Sequence, residues 1–261
     1  MSLTAVDDYV EFCKFLQKLT GIDLSQYKRP QMERRLRSFY ANRGVHSLTE
    51  SFERLRTDPQ HLEELLDRIT INVSQLWRNP EQWDIVQKTL LPELAEAQQL
   101  RCWSAGCSYG AEAYTLATLC NVVCPTKRVT IQGTDIDKRM VERARLGLFS
   151  HEDARTAPPE LLRRGFEPVE GGWRATMDLR KLTRFDVGDL LRTQPRPESF
   201  DLVLCRNTVI YFSEPIRDEL HARLASALRP GGYLVIGSTE RVSQPADLGL
   251  TSKHPFIYRK A

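Results

Sequence analysis

Two glycines and two carboxylates, set at the ends of apolar runs, are the residues of this 261-residue chain whose types and spacing point first to chemistry. The run Trp103-Ser104-Ala105-Gly106-Cys107-Ser108-Tyr109-Gly110-Ala111-Glu112 closes one such stretch. Gly106 and Gly110 let the backbone turn tightly and come close to a ligand. A glycine turn of this kind also ends strands that bind nothing, so the loop alone decides little. It does not read G-x-G-x-x-G, and Glu112 stands where the next helix should begin. A carboxylate there repels a dinucleotide pyrophosphate. It suits a cation instead, such as the amino group of a methionine moiety. That favours S-adenosylmethionine over NAD, with Ala105 and Gly106 as the backbone that meets the ligand.

Farther on, Gly133-Thr134-Asp135-Ile136-Asp137 ends a second apolar run. An acidic residue at the tip of the second strand is the usual partner of ribose hydroxyls, which makes Asp135, with Ile136, a cofactor candidate. The competing reading of Asp135 is a helix N-cap, although Asp137 is better placed to cap. Val187-Gly188-Asp189-Leu190 offers a carboxylate to an adenine amino group, or is a plain turn. Leu228-Arg229-Pro230-Gly231-Gly232 closes a helix before the next strand, wording that many S-adenosylmethionine enzymes share. No histidine stands in a persuasive arrangement with a carboxylate. His46, His61, His151, His221 and His254 fall in loop-like or helix-surface contexts and read as structural. The six cysteines form no CxxC pair and read as buried free thiols; no metal site is expected.

These residues need a scaffold, and the pattern supplies one. Residues 1–75 read as all helix: Tyr9, Phe12, Phe15, Leu16 and Leu19 recur at helical spacing, Gly21 stops that segment, and Asp58-Pro59 opens another as N-cap and first helical residue. Residues 76–99 read as a linker with a helix over Gln82–Glu96. From residue 100, strand-like runs (Leu100–Ser104, Val129–Thr134, Phe200–Cys205, Tyr233–Gly237) alternate with helical stretches (Glu112–Cys120, Lys138–Leu146, Glu214–Leu228). Alternation of this kind predicts an α/β fold, a doubly wound Rossmann-like sheet over residues 100–261, preceded by the all-α domain. Residues 164–182 break the alternation with Gly165, Pro168, Gly171 and Gly172, and read as a small inserted β-subdomain.

At this point the chain resembles a known family, the chemotaxis receptor methyltransferases (the CheR family). The likeness rests on Ile69-Thr70-Ile71-Asn72-Val73-Ser74-Gln75-Leu76-Trp77-Arg78, on Trp103-Ser104-Ala105 with the glycine loop, and on Thr134-Asp135-Ile136-Asp137. It rests also on Cys205-Arg206-Asn207-Thr208-Val209-Ile210-Tyr211-Phe212 and on Gly237-Ser238-Thr239-Glu240. The resemblance implies that Asn72, Ser74 and Arg78 reach the cofactor and the acceptor. It implies that Glu112 binds the methionine amino group, Asp135 the ribose, and Asp189 with Leu190 the adenine. Arg206 and Asn207 would complete the pocket, and Tyr211 would sit close to the transferring methyl. Departures are Leu76-Trp77 where two aromatics are usual, Ala111 and Ala113 where the family reads Glu and Pro, and Asp189 where Asn is usual. The inserted hairpin looks short, so no receptor tether peptide is expected on it.

The implied reaction fits the residues. A glutamate, with an ordinary pKa of about 4.3, is already ionised at neutral pH and needs no general base. Arg78 or Arg206 could hold its carboxylate by two hydrogen bonds; each could equally be a surface salt bridge, and Tyr211 could be core packing. Lys28, Arg29, Arg34, Arg35, Arg37 and Arg43 stand against a lone Glu33, either as a solvated face or, at Arg34, Arg35 and Arg37, as a surface for the glutamate-rich cytoplasmic helices of methyl-accepting receptors. Rival readings are a non-catalytic S-adenosylmethionine-binding adaptor, an RNA methyltransferase and a NAD dehydrogenase. A net charge of +3 is too small to argue for nucleic acid, and no apolar run approaches the roughly 18 residues of a membrane span. The expectation is a cytoplasmic monomer that yields S-adenosylhomocysteine and does not insert in a membrane.

Overall fold

The computed structural model describes residues 7–41, 43–70 and 74–261. They divide into two compact units, one of them the helical residues up to 70 with the segment Tyr211–Ile216, the other the remainder. The helical unit holds α1 (Asp8–Thr20), α2 (Arg29–Ala41), α3 (Phe52–Thr57) and α4 (Pro59–Thr70). Local sequence explains their ends. Asp7 caps α1 by accepting from Tyr9 N, and Gly21 closes it in the left-handed conformation (φ +82°). Asp58 accepts from His61 N at 3.1 Å and so caps α4. Phe12, Leu16, Leu36, Leu55, Leu65 and Ile69 fill the core between these helices.

The second unit begins with α5 (Pro80–Ile85) and α6 (Leu91–Leu94), which are joined through a π turn at Val86–Leu90. Pro92, which has no N–H to donate, follows that widened turn. Then come β1 (Gln99–Ala105), α7 (Ala111–Val123), β2 (Arg128–Asp135), α8 (Lys138–Leu146), β3 (Leu148–Ser150), α9 (Pro159–Gly165), β4 (Phe166–Val169), β5 (Gly172–Ala175), α10 (Met177–Leu182) and β6 (Thr183–Val187). The chain finishes with β7 (Phe200–Cys205), α11 (Glu214–Ala227), β8 (Leu228–Ile236), β9 (Leu250–His254) and β10 (Ile257–Lys260).

Seven strands form one sheet in the order β6-β2-β1-β7-β8-β10-β9. The first five are parallel, and β10 and β9 are antiparallel. The sheet is therefore the doubly wound α/β architecture that the alternation implies. Its strand order reverses between β1 and β7, the crevice where such sheets bind ligands. β4 and β5 form an antiparallel hairpin, as the glycines at 165, 171 and 172 suggest, and β3 joins its other side from outside residues 164–182. Two strands have no clear signature in the sequence. β3 has three residues, and β9, Leu250-Thr251-Ser252-Lys253-His254, is polar because it is an edge. All six cysteines are buried and free, as read from their spacing.

α8 depends on its cap, since Asp137 accepts from Arg139 N at 3.0 Å and from Met140 N at 3.4 Å. Asp137→Ala is expected to cost about 1 kcal/mol of unfolding free energy, read as a lower midpoint in urea denaturation followed by circular dichroism.

Candidate active site

After β1 the backbone turns through Gly106 (φ +82°), Ser108 (φ +48°) and Gly110 (φ +88°) into α7. A Cβ on Gly106 would lie 2.5 Å from Thr208 Oγ1, so the turn admits only glycine there. Gly106 N and Cys107 N both donate to the Thr134 carbonyl, at 2.8 and 3.0 Å. Asp135 lies beside this turn. Its two carboxylate oxygens accept from Ser108 N at 2.7 Å and from Asp137 N at 3.0 Å. Asp135 is thus not the helix cap, a role that falls to Asp137, and it is bonded to the glycine loop. Burial pushes its carboxyl above the usual range, against those backbone N–H groups.

Glu112, in the first turn of α7, is buried. One oxygen accepts from Ser104 Oγ at 2.7 Å, and the other meets Arg206 Nη1 only at 3.5 Å. Burial raises its pKa, against the opposing effect of Arg206 and Ser104. Arg206 follows β7 and is 8% exposed. Its Nε donates to Gln82 Oε1 at 2.9 Å; its Nη2 donates to the Arg78 carbonyl at 2.6 Å and to Asn79 Oδ1 at 3.2 Å. The guanidinium also lies 5.1 Å from the Trp83 ring centroid. Burial lowers its pKa, but an arginine stays charged. Arg206 is therefore enclosed by protein groups. It joins the stretch before α5, α5 itself and the start of α7, and it is not the surface salt bridge that its sequence position also allowed.

Asn207 takes the left-handed conformation (φ +58°), held by Glu240. That buried carboxylate accepts from Gly237 N at 2.6 Å, Asn207 N at 3.1 Å and Val209 N at 3.1 Å. A Cβ on Gly237 would come within 2.7 Å of both Asn207 N and Glu240 Oε2, so this approach needs glycine. Gln82, Asn79 and Trp83 were not singled out from sequence. Ser104 and Glu240 were, as parts of matching segments, but with no role.

The remaining candidates are distributed as follows. Ser74 and Arg78 lie on an irregular stretch tied to the same unit, with Leu76 N donating to the Asp153 carbonyl at 2.8 Å and Trp77 N to Thr115 Oγ1 at 3.1 Å. Trp77 and Asn79 are left-handed there (φ +54° and +57°). Asn72 lies outside the described residues. Ile136 is half-buried and Leu190 buried. Asp189 has the geometry of the plain turn: Oδ1 accepts from Leu191 N at 2.8 Å, and Oδ2 pairs with Arg192 at 3.4 Å.

In the helical unit the basic face is smaller than its count of charges. Arg37 pairs with Asp8 at 2.9 Å and Glu33 at 2.6 Å, Arg29 with Asp7 at 2.7 Å, and Arg43 with Glu64 at 2.9 Å. The acids at 7, 8 and 64 come from other helices, which the reading of one helix alone could not count. Arg34 is exposed, and Arg35 lies 5.1 Å over the ring of Tyr211, whose carbonyl accepts from Lys28 N. The histidines need a correction as well. His61 and His221 are buried rather than superficial, and no ring nitrogen of either has a hydrogen-bond partner among the described residues. Burial lowers both pKa values, that of His221 to about 4, so these rings are neutral at pH 7.

Both units match models of one family: residues 7–70 the CheR methyltransferase all-alpha domain, and residues 72–255 the CheR methyltransferase, SAM binding domain. The chain belongs to the CheR methyltransferase family. Whole-length relatives agree. The chemotaxis protein methyltransferase of Listeria innocua is 35% identical over 97% of each chain, and chemotaxis protein methyltransferase 1 of Pseudomonas aeruginosa is 32% identical over 92% of each. The chemotaxis protein methyltransferase of Borreliella burgdorferi is 30% identical over 97% of this chain and 94% of its own. This CheR-family chain is an S-adenosylmethionine-dependent methyltransferase. Its residues fit that cofactor: a buried carboxylate at Glu112 suits an ammonium, and a carboxylate at Asp135 with lone pairs to spare suits hydroxyls. No helix among the described residues is long and apolar enough to cross a membrane.

Glu240→Gln puts an amide N–H₂ or a neutral oxygen against three backbone donors. It is expected to cost about 2 kcal/mol, measured as a shift of the urea midpoint.

Proposed function

We propose that this methyltransferase transfers the methyl group of S-adenosylmethionine to glutamate side-chain carboxylates of chemotaxis receptors, giving methyl esters and S-adenosylhomocysteine. The observation that carries this reading is the match of both domains, residues 7–70 and 72–255, to a family whose named relatives are chemotaxis protein methyltransferases. The acceptor is the further step, and the site's chemistry supports it.

Bound S-adenosylmethionine supplies an electrophilic sulfonium methyl. The chain's own residues hold and orient the reactants. Glu112 takes the ammonium of the methionine moiety, Asp135 the ribose hydroxyls, and Asp189 with Leu190 flanks the adenine. Ser74, Ala105, Gly106, Ile136 and Asn207 complete the pocket. Arg78 or Arg206 is proposed to orient an acceptor carboxylate, Arg206 from within its bonds to Gln82, Asn79, Glu112 and the Arg78 carbonyl. A carboxylate acceptor arrives ionised, so no residue has to remove a proton. The two neutral buried histidines agree with a reaction that uses none. Orientation of this kind can be worth about 7–11 kcal/mol. In the helical unit, Arg34 and Arg35 would meet the glutamate-rich receptor helices, with Arg37 largely neutralised by Asp8 and Glu33.

Glu112 must be ionised to hold an ammonium, and its pKa is raised above the ordinary 4.5. Affinity for S-adenosylhomocysteine is therefore expected to fall as pH is lowered from 7 toward that raised value. Glu112→Gln should weaken binding about tenfold or more at pH 7 and reduce the pH dependence, both read by titration calorimetry.

The acceptor is tested by incubating the enzyme with methyl-labelled cofactor and membranes that carry chemotaxis receptors. Label that base releases as methanol, and that disappears when receptor glutamates become alanine, is the expected result; label stable to base, or on RNA, would overturn it. In the same assay Arg35→Glu is expected to raise the receptor KM several-fold at low salt, and Arg37→Glu to raise it less.

A further inference from the structure

We infer that Tyr109, Asp153 and Arg143 form a positioning clamp that fixes the Ser74–Arg78 stretch against the glycine loop after β1, and through it sets the affinity for the cofactor. The inference rests on the reading above that these two stretches wall the cofactor site.

Residues 74–79 have no helix or strand to hold them, and two of them carry left-handed backbone at Trp77 and Asn79. A stretch of that kind keeps one conformation only through bonds from its surroundings. Asp153 provides two of them from one residue. Its carbonyl accepts from Leu76 N at 2.8 Å, and its Oδ1 accepts from the Tyr109 hydroxyl at 2.9 Å. The same hydroxyl contacts the Ser74 carbonyl. Tyr109 belongs to the glycine turn between Gly106 and Gly110, and its side chain is buried away from solvent. One phenol thus joins the loop, the Ser74 carbonyl and Asp153.

Arg143, on α8, makes the third corner. Its Nη2 pairs with Asp153 Oδ2 at 2.7 Å, and its guanidinium lies 3.9 Å over the Tyr109 ring. Ser150 N also donates to Oδ2, at 2.8 Å. Both oxygens of Asp153 are therefore used, and the ring of Tyr109 is held on its face as well as at its hydroxyl. Burial and the nearby Asp153 raise the phenol's pKa, so it stays a donor at every working pH and takes no part as a base. None of the three touches a reacting atom in the proposed reaction. Their contribution is geometric, in the way that groups behind a binding residue hold it in the productive position.

The test is titration of S-adenosylhomocysteine into the wild type, Tyr109→Phe, Asp153→Asn and the double variant, with ligand-free melting temperatures measured alongside. Tyr109→Phe keeps the ring and the Arg143 contact and removes only the hydroxyl. It is expected to raise Kd about tenfold while the melting temperature of the free protein falls by only a few degrees. The double variant should raise Kd by clearly less than the product of the two single effects, because both break one clamp. A Tyr109→Phe protein that melts cooperatively and binds within twofold of wild type would overturn the clamp, whatever Asp153→Asn does. Failure of the wild type to bind S-adenosylhomocysteine would instead overturn the cofactor reading beneath it.

Discussion

Burying the Arg206 guanidinium is the constraint on which the α/β unit's site depends. A charge at 8% exposure costs several kcal/mol unless its N–H groups are met. Here they are met by groups from three separate stretches: Arg78 and Asn79 before α5, Gln82 within it, and Glu112 at the start of α7. Trp83 covers the guanidinium face. Since one planar group must satisfy all of these at once, moving any one stretch leaves a buried charge unpaired. The irregular segment at 77–79, the start of α7 and the end of β7 are in that sense a single object.

The same constraint accounts for the strained backbone around it. Trp77, Asn79, Ser108 and Asn207 are non-glycine residues with positive φ, all on turns of this region. Each conformation of that kind costs of order 1–3 kcal/mol and persists only where its surroundings dictate it. Asn207 shows how: Glu240 takes the backbone N–H groups of Gly237, Asn207 and Val209 and leaves the loop after β7 little freedom. Two buried carboxylates, Glu112 and Glu240, thus accompany one buried arginine. Burial raises the pKa of both.

The helical unit follows a different balance. Its arginines look like an undivided basic face in sequence, but Asp7, Asp8 and Glu64 fold onto three of them. The ion pairs are largely solvent-exposed and contribute little to stability. Their consequence is a redistribution of charge, which leaves Arg34 and Arg35 as the positions where an acidic partner would feel the least competition.

The sequence by itself determined whatever short-range physics can write. Alternating strand and helix periods marked the doubly wound sheet, capping and stopping residues such as Gly21, Asp58 and Asp137 marked the helix ends, and glycines at 106 and 110 marked the turn. Glu112 and Asp135 could be located from sequence, the one at the start of the helix after β1 and the other at the end of β2. Only the tertiary structure decided the rest. Gln82 and Arg206 are 124 residues apart, Tyr109 and Asp153 are 44 apart, and no local pattern states which distant hydrogen-bond donor will meet which acceptor. For the same reason His61 and His221 looked superficial, Arg206 looked available and Arg37 looked unpaired. Burial and pairing of a polar group are properties of the atoms that surround it, and those atoms are gathered only when the chain has folded.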